Sequence, residues 1–106
     1  MSLQDDEGPI DAAIANLLIG ATPESWHSAR LDVEFSRRAD GTEGFVHRIS
    51  SPEGHRDLVE PPAEMYVAVF RLFDLFRRAG RPWQRVGYVV SKATAGDWDY
   101  EVRFEY

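Results

Sequence analysis

The chain contains no cysteine, which excludes disulfide bridges, thiolate nucleophiles and cysteine-ligated metal centres. No apolar run approaches the roughly 20 residues that a helix needs to cross a bilayer, so we expect no membrane association. Basic residues are in the minority, with 12 Lys and Arg against 18 Asp and Glu and a net charge of -6. Because this charge repels a phosphate backbone, we expect no nucleic-acid partner. The absence of cysteine also suits a reducing compartment and predicts a cytoplasmic protein.

Catalytic and metal-binding motifs are also missing from the sequence. His27, His47 and His55 each stand without a partner at metal-ligand spacing. No serine has a nucleophile-elbow context, and the glycines are spaced as turns rather than as a phosphate loop. Carboxylates occur in pairs, but acid–base catalysis needs a carboxyl group in a cleft. We therefore expect no enzymatic activity, no cofactor and no metal ion.

The length of 106 residues is enough for one domain with one core. Residues 1–8 are acidic, lack the basic and apolar parts of a signal peptide, and are expected to be disordered. Residues 50–61 are polar and rich in proline and glycine. We interpret them as a connecting loop that Leu58 and Val59 hold against the surface.

Apolar residues at helical spacing predict two helices. The first is expected over residues 9–19, with Pro9 at its first position. The second begins at Pro62 and ends at Gly80, a residue suited to the left-handed cap conformation. Its predicted buried stripe comprises Met65, Val69, Leu72, Phe76 and Ala79, widened by Tyr66, Phe70 and Phe73.

Four segments alternate between apolar and polar residues, which is typical of half-buried strands. Two follow Trp26 and are joined by a turn at Asp40 and Gly41. Two follow Trp83 and are joined by a turn at Gly96. The apolar positions of these strands are Ala29, Leu31 and Val33; Phe45, His47 and Ile49; Val86, Tyr88 and Val90; and Trp98, Tyr100, Val102, Phe104 and Tyr106.

The two halves of the chain resemble each other when Trp26 is aligned with Trp83 and Gly41 with Gly96. This pattern predicts an α+β single domain of order αββαββ, with a mainly antiparallel four-stranded sheet and two helices on one face. The strand order stays open, as does the choice between a duplication and two similar packing solutions. The side chains expected to anchor the core are Trp26, Phe73, Trp83, Trp98 and Phe104.

The uncovered face of such a sheet would be charged, and it is the remaining surface suited to recognition. In many antiparallel sheets such a face is simply solvated. The functional interpretation is a partly acidic docking surface for a basic protein, because complementary charge speeds encounter and rejects wrong partners. The candidate partner-binding residues are Asp32, Glu34, Asp99, Glu101, Arg103 and Glu105.

The segments IANLLIGATPESWHSARLDVEF and LFDLFRRAGRPWQRVGYVVSKATAGDWDYEVRFEY together resemble the YezG-like family of small bacterial antitoxin or immunity proteins. The matching features are a Pro-Glu-x-Trp segment at residues 23–26, a Pro-Trp pair at residues 82–83, and the closing strand from Gly96 to the Phe-Glu-Tyr at residues 104–106. The resemblance covers residues 10–106. It implies a non-enzymatic protein that binds and neutralises a cognate secreted toxin, often a nuclease, and it implies no catalytic residues.

Two further hypotheses come from other functional classes. A small-ligand or regulatory module would have its site between sheet and helices, near Trp26, His47 and Trp83. A structural accessory domain would form a homodimer through the last strand, whose edge is available for pairing.

Overall fold

The computed structural model describes residues 3–106 of the chain. These residues form six elements, which are α1 (Leu3–Ala21), β1 (Ser28–Arg37), β2 (Glu43–Ser50), α2 (Ala63–Arg78), β3 (Arg85–Lys92) and β4 (Trp98–Glu105). The strands form one antiparallel sheet in the order β2-β1-β3-β4. The predicted αββαββ fold is therefore confirmed. The strand order, which the sequence left open, places β1 and β3 in the centre and β2 and β4 at the edges.

Side chains alternate between two faces of the sheet, as the period of two predicts. One face, called the inner face, carries the apolar residues of all four strands and is covered by α1 and α2. The hydroxyl of Tyr88 in β3 contacts Asp11 of α1, and the ring of Phe35 in β1 stacks on Phe73 of α2. The fully buried inner-face residues of the central strands are Ala29, Leu31, Val33, Val86, Tyr88 and Val90.

The register of the central strands explains the similarity between the two halves. Leu31 lies directly opposite Tyr88, and these are the residues that the alignment of Trp26 with Trp83 superimposes. The two halves are thus related by an approximate two-fold axis through this pair. On either side of this axis, Val33 of β1 pairs across strands with His47 of β2, and Val90 of β3 pairs with Tyr100 of β4.

His47 and Tyr100 therefore occupy equivalent places on the two edge strands. The alignment of Gly41 with Gly96 paired His47 with Val102 instead, which is two residues out of register. The reason is that β1 has 10 residues and β3 has 8, so the first hairpin extends further towards its turn.

The end of α2 follows the predicted capping. Gly80 adopts a left-handed conformation with φ of 75°. Its N–H donates to the carbonyl of Arg77 at 3.0 Å, and the N–H of Arg81 donates to the carbonyl of Phe76 at 2.9 Å. This pair of bonds is the Schellman motif, which satisfies carbonyl groups that the last helical turn leaves unpaired.

The predicted buried stripe of α2 is too wide. Tyr66 and Phe70 are 47% and 61% exposed, and Ala79 is the exposed cap residue. The ring of Tyr66 lies beside His47 on β2, which is the last strand of the sheet on that side. The sheet ends beneath this side of the helix, so these aromatic rings stay partly in solvent. The buried residues of α2 are Met65, Val69, Leu72, Phe73 and Phe76.

The predicted start of α1 is wrong. The helix begins at Leu3, so residues 3–8, which were expected to be disordered, are helical; residues 1 and 2 lie outside the described part of the chain. Pro9 is an interior residue of the helix, where it removes one backbone bond. Other contacts hold the first turns in place, because Leu3 packs against the core and Glu7 bonds to Asp11 one turn later in the same helix.

The loop between β2 and α2 is held differently from the prediction. Leu58 is 99% exposed, and only Val59 of the predicted pair packs against the core. Polar and ring contacts attach the loop instead. Asp57 accepts a hydrogen bond of 3.1 Å from the indole N–H of Trp26, and the ring of His55 stacks on Trp26 with 5.6 Å between centroids.

The five predicted anchors differ in burial. Trp26, Phe73 and Trp83 are buried, whereas Trp98 and Phe104 are partly buried on the edge strand β4. Trp83 meets Phe73 edge-on, with 5.0 Å between ring centroids. The helix–strand corner is therefore held by an aromatic cluster.

Phe73→Ala is expected to lower the free energy of unfolding by about 3–5 kcal/mol, because it opens a cavity beneath Phe35 and beside Trp83. Leu58→Ala is the control and is expected to cost less than about 0.5 kcal/mol, since its side chain is exposed. Chemical denaturation followed by tryptophan fluorescence measures both. Equal losses in the two variants would contradict the described packing.

Candidate functional site

The face of the sheet that α1 and α2 leave uncovered, called the outer face, is the candidate functional site. All six predicted partner-binding residues project from it, as the strand alternation required. Cross-strand pairing arranges its side chains in rows that run across all four strands. The central row is Arg48, Asp32, Gly87 and Arg103, and the next is Val46, Glu34, Arg85 and Glu105.

A hollow of about 470 Å³ opens at the middle of the outer face. Gly87 forms its floor, and four of the predicted residues line it: Asp32, Glu34, Arg103 and Glu105. A second hollow of about 260 Å³ adjoins it and is lined by Glu101, sharing Gly87 and Arg103 with the first. Asp99 lies on β4 with Glu101 and lines neither hollow.

Gly87 is what makes the hollow. It lies in a central strand, where glycine weakens the sheet and often marks a close approach by another group. A Cβ atom at this position would lie 3.5 Å from the Oδ1 atom of Asp32, which is an ordinary contact. Neither backbone strain nor crowding therefore requires glycine, and its effect is to leave space.

Ion pairs divide the charged residues of the outer face into two groups. Arg30 Nε lies 3.0 Å from Asp32 Oδ2, and Arg85 Nη2 lies 3.5 Å from Glu34 Oε1. Among residues 3–106, by contrast, no ion pair involves Arg48 or Arg103. These two guanidinium groups stand on opposite sides of the hollow, on β2 and β4.

The charges of the outer face are mixed, with a small acidic excess. Asp32, Glu34, Asp99, Glu101 and Glu105 are set against Arg30, Arg48, Arg85 and Arg103, which leaves one excess negative charge. Guanidinium groups bind carboxylates through two parallel hydrogen bonds. The face can therefore recognise a surface that carries charges of both signs.

A second polar cluster lies where the loop meets the start of β1. Glu53 accepts hydrogen bonds from the N–H of His27 at 2.6 Å and from the hydroxyl of Ser28 at 2.9 Å, and it lies 3.3 Å from the ring of His55. Burial raises the pKa of Glu53, but the bonds from Ser28, His27 and His55 outweigh it and hold that pKa at about 2. The role of this carboxylate is to attach the loop.

This cluster does not form a catalytic triad. Nucleophilic catalysis needs a histidine between serine and carboxylate, so that it can take the serine proton. Here the carboxylate of Glu53 lies between Ser28 and His55. Within residues 3–106, moreover, no group of three or more His, Asp or Glu side chains is placed to hold a metal ion. In the same part of the chain, neither helix has the length and apolar character of a membrane span.

A third cluster joins α1 to the sheet. The hydroxyl of Tyr88 donates a 2.5 Å hydrogen bond to Asp11, and burial together with that carboxylate raises the pKa of Tyr88. The hydrogen bond to Asp11, partial burial and the charge of Asp11 raise the pKa of Glu7 to about 7. Shifted pKa values often mark active sites, but Tyr88 and Asp11 are 0% and 5% exposed. A substrate cannot reach them, so the cluster is structural.

The residues proposed for a small-ligand site are packed against other rings. Trp26 stacks on His55, and Trp83 lies among Phe45, Phe73 and Phe104. His47 contacts Tyr66 at 4.5 Å between centroids, and desolvation lowers its pKa. In the described part of the chain, none of the three lines the hollows of the outer face or the grooves beside α2.

The strand pattern predicts the outer face but does not single out the residue at its centre. Gly87 stands between Val86 and Tyr88 in the middle of a strand pattern, and that position is itself a signal of close approach. No such signal shows which arginines lack an ion pair, because a partner can lie on the same strand or on a neighbouring one.

The chain matches no protein-family model and no curated protein sequence. The candidate site is therefore defined by the geometry of the outer face.

The Glu7 carboxyl is expected to make stability depend on pH. Its folded pKa lies above the ordinary value of 4.5, so its contribution is full below pH 4.5 and is lost as the pH rises through about 7. Glu7→Gln keeps a neutral side chain at every pH. Relative to wild type, this variant should gain about 1–2 kcal/mol between pH 5 and pH 8, after discounting for partial exposure.

Urea denaturation at a series of pH values measures this difference, with Glu60→Gln as the control at an exposed glutamate. A constant difference between Glu7→Gln and wild type over this range would contradict the bond between Glu7 and Asp11.

Proposed function

We propose that this protein is a non-catalytic immunity protein that binds a cognate bacterial toxin with the outer face of its sheet and blocks it by occlusion. The observation that carries the proposal is the hollow above Gly87, flanked by the unpaired guanidinium groups of Arg48 and Arg103. The resemblance to the YezG-like family supplies the class of partner. The geometry of the outer face supports its choice as the binding surface.

The chemistry of the outer face suits recognition rather than catalysis. Guanidinium groups donate hydrogen bonds but cannot take a proton in proteins. Asp32 and Glu34 are engaged by Arg30 and Arg85, and the floor is a glycine. A partner surface that enters the hollow would meet fixed charges in a defined pattern, which favours selectivity among partners.

The charges also indicate what the partner carries. The net charge of -6 draws a basic protein towards this one from a distance. At contact, Arg48 and Arg103 can donate hydrogen bonds to carboxylates, whereas Glu101 on β4 can accept hydrogen bonds from basic side chains. A nuclease fits this description, since binding a phosphate backbone requires a basic surface.

The test is binding of the toxin encoded beside this gene, measured by titration calorimetry. Gly87→Val adds a side chain at the floor of the hollow, in a position where a Cβ atom makes only ordinary contacts. We expect it to weaken binding at least tenfold, which is about 1.4 kcal/mol. Replacing Arg48 and Arg103 together by alanine should have an effect of the same order. Melting curves check that each variant folds.

Ser91→Val is the matched control, because Ser91 lies on the same face of the same strand and lines neither hollow. It should leave affinity unchanged. Cells that express the toxin should be protected by wild type and Ser91→Val and poorly protected by Gly87→Val. Absence of binding by the wild-type protein, or equal binding by all variants, would overturn the proposal.

A further inference from the structure

The edge strand β2 leaves part of its backbone available for pairing. Within residues 3–106, β2 pairs with β1 alone. One position beyond β1, the N–H of Arg38 donates to the carbonyl of Thr42 at 2.8 Å. This bond determines which residues of β2 form backbone hydrogen bonds with β1, because bonded and non-bonded pairs alternate along an antiparallel ladder. Even-numbered residues of β2 therefore bond to β1, and the backbone groups of Phe45, His47 and Ile49 point away from the sheet.

Exposed aromatic rings lie beside this free edge. A groove of about 330 Å³ runs between β2 and α2 and is lined by the rings of Phe35, Phe45, Phe70 and Phe73. Phe70 is 61% exposed, and Tyr66, whose ring is 4.5 Å from that of His47, is 47% exposed. Large exposed aromatic side chains next to a free strand edge are typical of an interaction surface.

We infer that this side of the molecule is a homodimer interface, in which the β2 strands of two copies pair antiparallel about a two-fold axis at His47. Pairing joins the two sheets into one of eight strands. Phe45 then lies opposite the partner's Ile49, and each such pair exchanges backbone hydrogen bonds in both directions. The exposed rings of Tyr66 from the two copies flank the axis.

The side chains of β2 are self-complementary in this register. On the inner face, apolar residues meet apolar residues, and desolvation lowers the pKa of His47, so two uncharged imidazoles meet at the axis. On the outer face, Val46 lies opposite the partner's Arg48. Glu43 is bound by Arg37 at 2.6 Å and by Arg77 at 3.0 Å. No like charges oppose each other, and like charges would destabilise a strand pair.

The opposite edge strand is protected by charge. The outer side of β4 carries Asp99, Glu101, Arg103 and Glu105 in succession. Antiparallel self-pairing about an axis at any of residues 100–103 puts at least one carboxylate opposite a carboxylate of the second copy. Charged residues on an edge strand are a common defence against pairing. The interface is therefore assigned to β2, in place of the last strand that the sequence suggested.

This inference does not rest on the proposed function. Pairing through β2 occupies the strand edge and the groove beside α2, whereas the outer face stays open. The dimer can therefore form whether or not a toxin is bound. It would present two copies of the outer-face hollow side by side, because Val46 and Arg48 belong to both the hollow and the paired strand.

Sedimentation equilibrium of the purified chain over a range of concentrations tests the inference. We expect the wild-type protein to have the mass of two chains. His47→Lys places two like charges at the axis and should raise the dimer dissociation constant at least about tenfold. Tyr100→Lys is the matched control at the equivalent position of β4 and should remain dimeric.

Tyr66→Glu is a second variant on the exposed surface of α2, where a substitution does not enter the core. It too should favour the monomer. Amide hydrogen exchange gives an independent measurement, since the N–H groups of Phe45, His47 and Ile49 should be protected in the wild type and exchange faster in both variants. A wild-type monomer at every concentration, or dissociation by Tyr100→Lys but by neither other variant, would overturn the inference.

Discussion

The hydrogen bond between Tyr88 and Asp11 is the interaction on which the arrangement of layers depends. Tyr88 sits at the centre of the sheet opposite Leu31, and its hydroxyl is buried, so it needs an acceptor inside the protein. Asp11 supplies that acceptor from α1 and is itself buried. Each group would be costly to bury alone, since an unpaired polar group loses its hydration without replacement. The pair therefore fixes where α1 crosses the sheet.

With both helices fixed on the inner face, the outer face is left to charged side chains. Strand alternation sends every second residue there, and cross-strand pairing sorts these residues into rows. Charges pair within a row, as Arg85 does with Glu34, or along a strand, as Arg30 does with Asp32. Arg48 and Arg103 are left without an ion-pair partner among the described residues. The absence of a side chain at Gly87 turns a flat row into a hollow. The recognition proposed for this face thus depends on its geometry more than on its net charge.

The sequence predicts those features of the fold that depend on neighbours within a few residues. The cap at Gly80, both hairpin turns and the two faces of each strand follow from local spacing. The strand order depends on contacts between halves of the chain, so periodicity could not supply it. Pro9 predicts a first helical position, whereas the packing of Leu3 against the core and the bond between Glu7 and Asp11 within α1 extend the helix to Leu3. Likewise, a helical stripe shows that Tyr66 and Phe70 are apolar but does not show where the sheet beneath them ends.

The approximate two-fold relation between the halves gives the sheet two edges with equivalent backbones, and the side chains make them different. His47 and Tyr100 occupy matching places, yet β4 is bordered by Asp99, Glu101 and Glu105 while β2 carries Val46 and Arg48. A repeated αββ unit that leaves both edges equally open would be free to polymerise, because each molecule could pair at either side. Charge on β4 limits the inferred pairing to β2. A single self-complementary edge can pair with one other copy only, so association ends at a dimer. The asymmetry of the surface thus restrains an association that the symmetry of the backbone would otherwise permit.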